Sequence, residues 1–261
     1  MMKRKIEGLL ISKIPFKERD LIGKVLLRNG KYVSIIFHGG RGGGTKKKSS
    51  VLELGFMLSV DLQWSRGGSE LYRAKEWNLV WTHHHIRNHT KAFYLLCFFC
   101  EVMGLISFEE NLHDSDDDGE LQGLFRVASN ALFFCEKELE KKNLEIHKHL
   151  LLFLSKLLLE QGVFPRIESC RVCGNFLNQF ETLSLVSDKG GFACERCQRG
   201  GKLGKELWAF MGQSSTTKYQ EFEFQFDSTI PRESMTGALL QYFYFQFQLS
   251  AHTFKSLSLL I

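Results

Sequence analysis

The sequence predicts an α+β protein, with a small β-barrel followed by a helical bundle domain that contains an inserted four-cysteine ribbon. Three observations support this class. Short alternating segments broken by turns extend to about residue 80, apolar runs of helical character begin near residue 87, and two Cys-x2-Cys pairs lie between residues 170 and 197. The expected domains are residues 1–80 and residues 81–261, the second containing the ribbon at residues 167–201.

Five strands are predicted in the N-terminal domain. They run from Lys3 to Ile14, Asp20 to Arg28, Tyr32 to His38, Leu54 to Trp64 and Leu71 to Leu79. Asn29-Gly30 suits a two-residue hairpin turn, because both residues tolerate a positive φ. The fourth strand is the clearest, since apolar residues occupy every second position. Five short antiparallel strands in this length fit a small closed barrel, of which the OB-fold is a nucleic-acid-binding kind.

A glycine-rich basic loop, Gly39–Lys48, follows the third predicted strand. It does not fit a phosphate-binding P-loop, because Thr45 separates the last glycine from the first lysine and a strand, not a helix, is predicted to follow. A flexible loop with Arg41 and three lysines instead suits contact with a phosphate backbone. The alternative is a solvated, mobile loop without a ligand.

The remaining chain is predicted to be mainly helical. Helices are expected at residues 87–107, 120–142, 145–161 and 204–211, and from Pro231 to about Leu249. The run from Leu150 to Leu159 is apolar almost all round, which places its helix at the centre of the bundle. Ser155 and Lys156 interrupt this run, and it is too short to span a membrane. No membrane partner is expected.

Two cysteine pairs, Cys170/Cys173 and Cys194/Cys197, have the spacing of a four-thiolate zinc site. Each pair can hold one side of a tetrahedral ion, and a short hairpin between the pairs can bring the two sides together. Four sulfur ligands leave no open position for a substrate. We therefore expect a structural Zn²⁺ and no catalytic one.

Charge is distributed unevenly along the chain. Residues 1–80 contain 16 Lys and Arg against 7 Asp and Glu, a net charge of +9, while residues 81–261 have a net charge of −4. A basic N-terminal domain favours an anionic partner such as nucleic acid, although a solvated basic surface is the alternative. Seven cysteines without a signal-peptide pattern favour a reducing compartment, so we expect a cytoplasmic protein.

Several other patterns suggest sites that their surroundings do not support. Cys97 and Cys100 have apolar neighbours and are interpreted as small core residues of a helix. The acidic stretch Asp114–Leu121 resembles the start of a calcium-binding EF-hand loop, but its twelfth position is Phe125 where a bidentate Glu is needed.

The histidines at 83–85 and 89 are interpreted as a polar linker between the domains, because consecutive imidazoles do not easily converge on one ion. No recognisable nucleophile elbow or paired catalytic carboxylates are found in the sequence. We therefore expect a protein that is not an enzyme.

Motifs in a consistent order give the chain a resemblance to bacterial RecO, a family of recombination mediators in DNA repair. Phe16–Asp20 looks like that family's aromatic-x-Glu-x-Asp motif, and Gly40-Arg41 with the lysines at 46–48 looks like its basic loop. The most specific match is Ser187–Cys197, which follows a Ser-x-x-Gly-Gly-x-x-Cys-x-x-Cys pattern. Phe254–Ser256 is similar to the tail of the family. The glycine-rich character of the basic loop departs from the pattern.

The resemblance implies an OB-fold that binds single- and double-stranded DNA, anneals complementary strands and, with RecR, helps to load RecA onto DNA coated with single-strand-binding protein. It also implies docking of the C-terminal tail of single-strand-binding protein, and a bacterial, nucleoid-associated location. The residues expected to contact DNA are Arg19, Lys24, Arg28, Lys31, Arg41, Lys46, Lys47, Lys48, Arg196 and Arg199.

Two functions from other classes remain open. A zinc-ribbon regulator or protein-interaction module would need a helix that offers side chains to base edges or to a partner, whereas Gln198–Gly201 follows the second cysteine pair. A nuclease would need carboxylates that bind Mg²⁺ and would cleave DNA in its presence.

Overall fold

The structure, a computed structural model, describes residues 3–41, 52–63, 71–110, 112 and 123–260. The chain divides into two compact units, which we call unit 1 (residues 1–143, with Leu260) and unit 2 (residues 144–259). The barrel strands end at Trp81, within unit 1. The predicted domain boundary at residue 80 stays a prediction. Among the described residues, no helix combines the length and apolar character needed to cross a membrane.

Unit 1 contains a closed five-stranded barrel. Its strands are β1 (Lys3–Phe16), β2 (Asp20–Leu27), β3 (Tyr32–Phe37), β4 (Met57–Gln63) and β5 (Tyr72–Trp81). They pair in the order β1-β2-β3-β5-β4, and β4 pairs back onto β1. Every pairing is antiparallel except the short parallel contact between β3 and β5. This topology confirms the predicted OB-like fold class.

The interior of the barrel is filled by alternate residues of all five strands. Buried members include Val25, Val33 and Leu58, each fully inaccessible to solvent. A β-bulge at Ile11 interrupts the pairing of β1 with β2, because Leu10 lies opposite Val25 while Ser12 lies opposite Lys24. A bulge adds one residue to a strand and reverses which side chains face the core.

The fourth strand begins three residues later than the sequence predicts. Gly55 has φ +76°, a left-handed conformation that a strand cannot contain, so Leu54 and Phe56 are not part of β4 although they fit its alternation. A Cβ atom at Gly55 would also lie 2.8 Å from the His83 ring, so no larger residue fits there. Trp64 and residues 65–69, between the fourth and fifth predicted strands, lie outside the described residues.

Three helices complete unit 1. They are α1 (His85–Asn88), α2 (Thr90–Ile106) and α3 (Gly123–Glu140). Cys97 is half-buried on α2, while Cys100 and Cys135 are buried, as their apolar neighbours predict. Phe125, the residue that replaces the final EF-hand ligand, is buried on α3. The acidic residues Asp114–Leu121 lie outside the described part of the chain.

Unit 2 is built around one central helix. Its elements are α4 (Ile146–Glu160), the hairpin strands β6 (Leu183–Val186) and β7 (Gly191–Cys194), α5 (Lys202–Thr216) and α6 (Arg232–Gln246). Helix α4 packs against both α5 and α6, and its leucines at 150–152 are buried, which matches its predicted place. The sequence predicts that the last helix begins at Pro231. In the structure Pro231 is the N-cap, one residue before α6 begins.

Candidate metal centre and candidate nucleic-acid interface

The four cysteines of the ribbon converge on one point. The sulfur atoms of Cys170, Cys173, Cys194 and Cys197 all lie within 4.8 Å of one another. The sulfurs of Cys173 and Cys194 are 3.7 Å apart. A tetrahedral ion with metal–sulfur bonds of about 2.3 Å needs sulfur–sulfur separations of roughly 3.8 Å. The cluster therefore fits one tetrahedral metal ion and offers four ligands to it.

The local backbone explains how the cysteines meet. After the first pair, Gly174 has φ +76° and its N–H donates to the carbonyl of Cys170 at 3.0 Å, which closes a tight knuckle. The β6–β7 hairpin turns at Gly190, with φ +64°, and returns the chain so that Cys194 is the last residue of β7. These short-range features are the ones that the cysteine spacing predicts.

Hydrogen bonds within the ribbon shift the pKa values of two of its thiols in opposite directions. Burial raises the pKa of Cys170, but backbone N–H groups, including those of Val172 and Cys194, outweigh burial and bring it to about 6. Hydrogen bonding to Cys173 raises the pKa of Cys197 to about 12. By contrast, burial is the main cause that raises the pKa of Cys135 to about 12, so that thiol stays protonated. Metal binding would release the protons that the ribbon sulfurs hold.

Helix α5 follows the second cysteine pair and packs tightly against the ribbon. A Cβ atom at Gly204 would lie 1.9 Å from the Leu183 carbonyl oxygen, and the Trp208 indole N–H donates to the Ile167 carbonyl at 2.7 Å. Its first turn is therefore occupied by the ribbon. This packing disfavours the hypothesis of a ribbon helix that enters a DNA groove.

Arg196 and Arg199 lie on the ribbon, and their surroundings give little net positive charge. The Arg196 guanidinium lies 5.4 Å from the centre of the Phe180 ring. Residues 166–201 contain five Lys and Arg against four Asp and Glu, so the ribbon is close to neutral before any metal is counted. A DNA contact for these two arginines stays a prediction.

At one end of the barrel, the turn between β1 and β2 meets the turn that follows β3. Lys17, Arg19 and Arg41 are all exposed there, and we call these three residues the basic rim. The Arg41 N–H donates to the Arg19 carbonyl at 3.0 Å. Its guanidinium donates to the carbonyls of Lys17 and Glu18 at 3.3 and 3.4 Å. Residues far apart in sequence thus bring three cationic side chains together, beside the carboxylates of Glu18 and Asp20.

An apolar and aromatic surface lies on the outer side of the same three strands. Outside the barrel core are Ile14, Phe16, Ile22, Lys24 and Tyr32, and Ile14 is 56% exposed. We call these five residues the outer face. The Lys24 ammonium lies 4.2 Å from the centre of the Tyr32 ring, and the Lys17 ammonium lies 5.3 Å from that of Phe16. Lys24 is among the contacts predicted from sequence, whereas the apolar members of this set were missed.

Two other predicted DNA contacts already have acidic partners. Arg28 forms an ion pair with Glu7 at 3.0 Å. Lys31 forms one at 3.0 Å with Glu110, whose side chain is only 5% exposed and also accepts from Asn29. Paired charges attract phosphate less than unpaired ones. The remaining predicted contacts, Lys46, Lys47 and Lys48, lie outside the described residues, which resume at Leu52.

The prediction of a polar histidine linker is wrong for His83. This side chain is inaccessible to solvent, its Nε2 lies 2.9 Å from the Leu54 carbonyl, and its ring contacts Phe56 edge-on at 4.9 Å. Tertiary packing places it in the unit 1 core, which a polar residue in a run of histidines does not reveal. His89 acts as the N-cap of α2 and accepts from the Ala92 N–H.

His85, Glu136 and Glu140 also lie within 4.8 Å of one another. The Glu136 carboxylate, however, already accepts from the backbone N–H groups of residues 84, 85 and 86, at 2.6–2.9 Å. Its proximity to His85 is thus explained by capping of the short helix α1. The ribbon cluster is the stronger metal candidate among the described residues.

Burial of His83 predicts a pH-dependent stability. Burial lowers its pKa below the usual 6.5, so the unfolded chain binds a proton before the folded chain does. As pH falls below about 6.5, the free energy of unfolding should drop by up to about 1.4 kcal/mol per pH unit from this residue. His83→Gln keeps an N–H donor for Leu54 and should flatten that slope. Urea titrations of both proteins between about pH 7 and pH 5 test this, and equal slopes would contradict it.

Comparisons with known proteins show similarity to a curated relative and, over part of the chain, to solved structures. No family model matches the chain. DNA repair protein RecO of Caldanaerobacter subterraneus subsp. tengcongensis is 23% identical over 224 residues, which cover 84% of this chain and 83% of the relative. This supports a RecO-like relationship, at an identity too low to assign the chain to that family. The S. pombe Stn1-ten1 complex matches 35% of this chain and 65% of its own chain, with 12% identity and a TM-score of 0.24.

Proposed function

We propose that this protein binds single-stranded DNA on the barrel of unit 1 and acts in DNA repair as a strand-annealing mediator. The observation that supports this most is the basic rim beside the outer face. In OB-folds, the surface of strands two and three and the adjoining loops bind oligonucleotides. Exposed cations attract the phosphates, and aromatic rings such as Phe16 and Tyr32 offer surfaces on which bases stack.

The chemistry of annealing requires no bond to be made or broken by the protein. A basic surface that binds two strands lowers the repulsion between their phosphates, and base pairing supplies the driving force. A non-enzymatic role is therefore part of the proposal. The name of the curated relative, a DNA repair protein, supports this choice over a protein-interaction module. We also propose, from the RecO resemblance, that RecR and the tail of single-strand-binding protein are partners and that RecA loading is the outcome.

In the proposed arrangement the ribbon has a structural role. We propose that its metal is Zn²⁺, because zinc favours four thiolates in a closed tetrahedral site. Such an ion would hold the two knuckles together and supply folding free energy, with no vacant position for a substrate. A protein with this role works beside the chromosome, so a bacterial cytoplasmic location associated with the nucleoid belongs to the same proposal.

A salt titration of DNA binding tests the proposal. Affinity for a fluorescent oligothymidine should fall steeply as salt rises, with a log–log slope that decreases by about 0.7 for each phosphate contact. The same incubation with labelled DNA and Mg²⁺ should leave the strands intact. Cleavage of the strands would favour the nuclease hypothesis, and binding without salt dependence would exclude the basic rim as the main contact.

A further inference from the structure

Asp20 joins the two turns that form the basic rim. Its Oδ1 accepts from the backbone N–H of Gly39 at 2.9 Å, and its Oδ2 lies 2.9 Å from Nδ1 of His38. Its side chain is 15% exposed, so these contacts are partly shielded from water. The hydrogen bond from Gly39 is the largest cause that holds the pKa of Asp20 below its usual range, so the carboxylate is ionised at neutral pH, as an ordinary aspartate is.

The turn held by Asp20 has little freedom to adopt another shape. Gly39 has φ +70°, and the Gly40 N–H donates to the Phe37 carbonyl at 3.1 Å, which closes the turn. Gly40 is buried, and a Cβ atom there would lie 3.0 Å from both the Phe37 carbonyl oxygen and Leu52. Arg41 follows at once and donates to the β1–β2 turn. The position of Arg41 therefore depends on the conformation that Asp20 stabilises.

The described residues on either side of residues 42–51, Arg41 and Leu52, both contact the barrel. Arg41 is bonded to the β1–β2 turn on one side. On the other side, Leu52 is buried in the barrel core and its carbonyl accepts from the Lys13 ammonium at 3.1 Å. The Asp20 contacts, at His38 and Gly39, thus lie two to three residues before Arg41, the last described residue ahead of residues 42–51.

We propose that Asp20 is a positioning residue for DNA binding, which holds the turn after β3 so that Lys17, Arg19 and Arg41 present their charges together. This inference rests on the proposed DNA-binding function. It assigns a role to the aspartate of the Phe16–Asp20 motif, which the sequence identifies without explaining. Asp20 itself carries the same charge as DNA, so it assists binding only through the geometry that it imposes.

The negative charge of Asp20 makes the positioning role testable. Removing a negative charge from a basic surface should tighten DNA binding if only net charge matters. Disrupting the Asp20 hydrogen bonds should weaken it, because a displaced Arg41 no longer reaches phosphate together with Arg19. For single-stranded DNA, the removal of one phosphate contact should reduce affinity about fivefold at about 0.1 M salt. The two explanations therefore predict changes in opposite directions.

Three variants separate these explanations. Asp20→Ala removes the charge and both hydrogen bonds. Asp20→Asn removes the charge, but its amide can still accept from Gly39 and donate to His38. Glu18→Gln removes one negative charge from the same turn, at an exposed side chain, and leaves the Asp20 hydrogen bonds in place. Affinity for a fluorescent oligothymidine and its salt slope are measured for each full-length variant, with thermal unfolding as the check on folding.

We expect Asp20→Ala to bind about five- to twentyfold more weakly with a salt slope smaller by about one contact, while Asp20→Asn and Glu18→Gln bind as well as or better than the parent protein. Equal or tighter binding by folded Asp20→Ala would overturn the inference while leaving DNA binding intact. If the parent protein does not bind the oligothymidine, the proposed function itself fails.

Gly39→Ala provides a second route that changes no charge. It strains the turn at φ +70° and should weaken binding in the same way. When Gly39→Ala and Asp20→Ala are combined, the reduction in affinity should be no larger than that of the stronger single variant, because both disrupt one turn. Fully additive reductions would contradict a shared positioning role.

Discussion

Cys170→Ser is expected to abolish metal binding and to destabilise unit 2. The parent protein should contain close to one zinc per chain when it is purified without chelator. Cys170 is buried, and its sulfur accepts from the Cys194 N–H at 3.3 Å, so this ligand organises both knuckles. Structural zinc contributes apparent binding free energies of about 10–16 kcal/mol in small zinc domains. Even part of that loss should lower the unfolding temperature of unit 2 by more than about 10 °C.

Cys97→Ser is the matched control for this experiment. It makes the same chemical change at a half-buried thiol that is outside the ribbon cluster, and burial raises the pKa of that thiol to about 11. Zinc content, measured by elemental analysis, should be unchanged in the control and near zero in Cys170→Ser. A full zinc content and an unshifted unfolding temperature in Cys170→Ser would show that the cluster is not a structural metal site.

Replacing Lys46, Lys47 and Lys48 together by alanine should cause the largest loss of DNA affinity. These lysines follow the basic rim closely in sequence and form a run of three consecutive positive charges. If all three contact phosphate, the salt slope for single-stranded DNA should decrease by about 2, and affinity at about 0.1 M salt should fall by roughly 100-fold. If only one of the lysines contacts phosphate, affinity should fall about fivefold.

A triple variant with the same change in charge provides the control. Lys91, Lys137 and Lys141 are exposed lysines of unit 1 on or beside helices, outside the barrel strands and their turns. Their replacement by alanine should leave the salt slope nearly unchanged, because they are not expected to contact phosphate. Equal reductions in affinity from both triple variants would mean that net charge, and not phosphate contact by Lys46–Lys48, determines affinity.

The features that sequence alone predicts are those set by short-range patterns. The cysteine spacing predicts the cluster because each knuckle is closed within a few residues, the first at Gly174 and the second by the Cys197 N–H, which donates to the Cys194 carbonyl at 3.0 Å. The barrel is predicted because alternation, clearest in β4, specifies strands locally. The predicted two-residue turn at Asn29-Gly30 is wrong, however, because only Gly30 has a positive φ and the connection runs from Leu27 to Tyr32. Helix α4 is predicted to be central because its apolar residues occupy every face.

Features that depend on tertiary contacts are not visible in those patterns. The alternation that places Ile6 and Leu10 in the core would also place Ile14 and Phe16 there, but the bulge at Ile11 turns them outward. The outer face was missed for this reason. Likewise, the ion pair between Lys31 and Glu110 joins residues far apart in sequence, so charge counting treated Lys31 as unpaired.

The role of Asp20 likewise depends on tertiary contacts. Its motif is recognisable in sequence, but its contacts with His38 and Gly39 require the pairing of β2 with β3 in the observed register. His83 became a core residue through packing against Phe56 and Trp81, which no local pattern indicates.

The annealing of two complementary oligonucleotides, followed by fluorescence and measured on bare strands and on strands coated with single-strand-binding protein, tests the proposed function most directly. The protein should accelerate annealing in both cases without ATP, with a rate that falls steeply as salt rises. It should lose most of this activity when Lys46–Lys48 are replaced. No acceleration at low salt by folded, zinc-loaded protein would contradict the account.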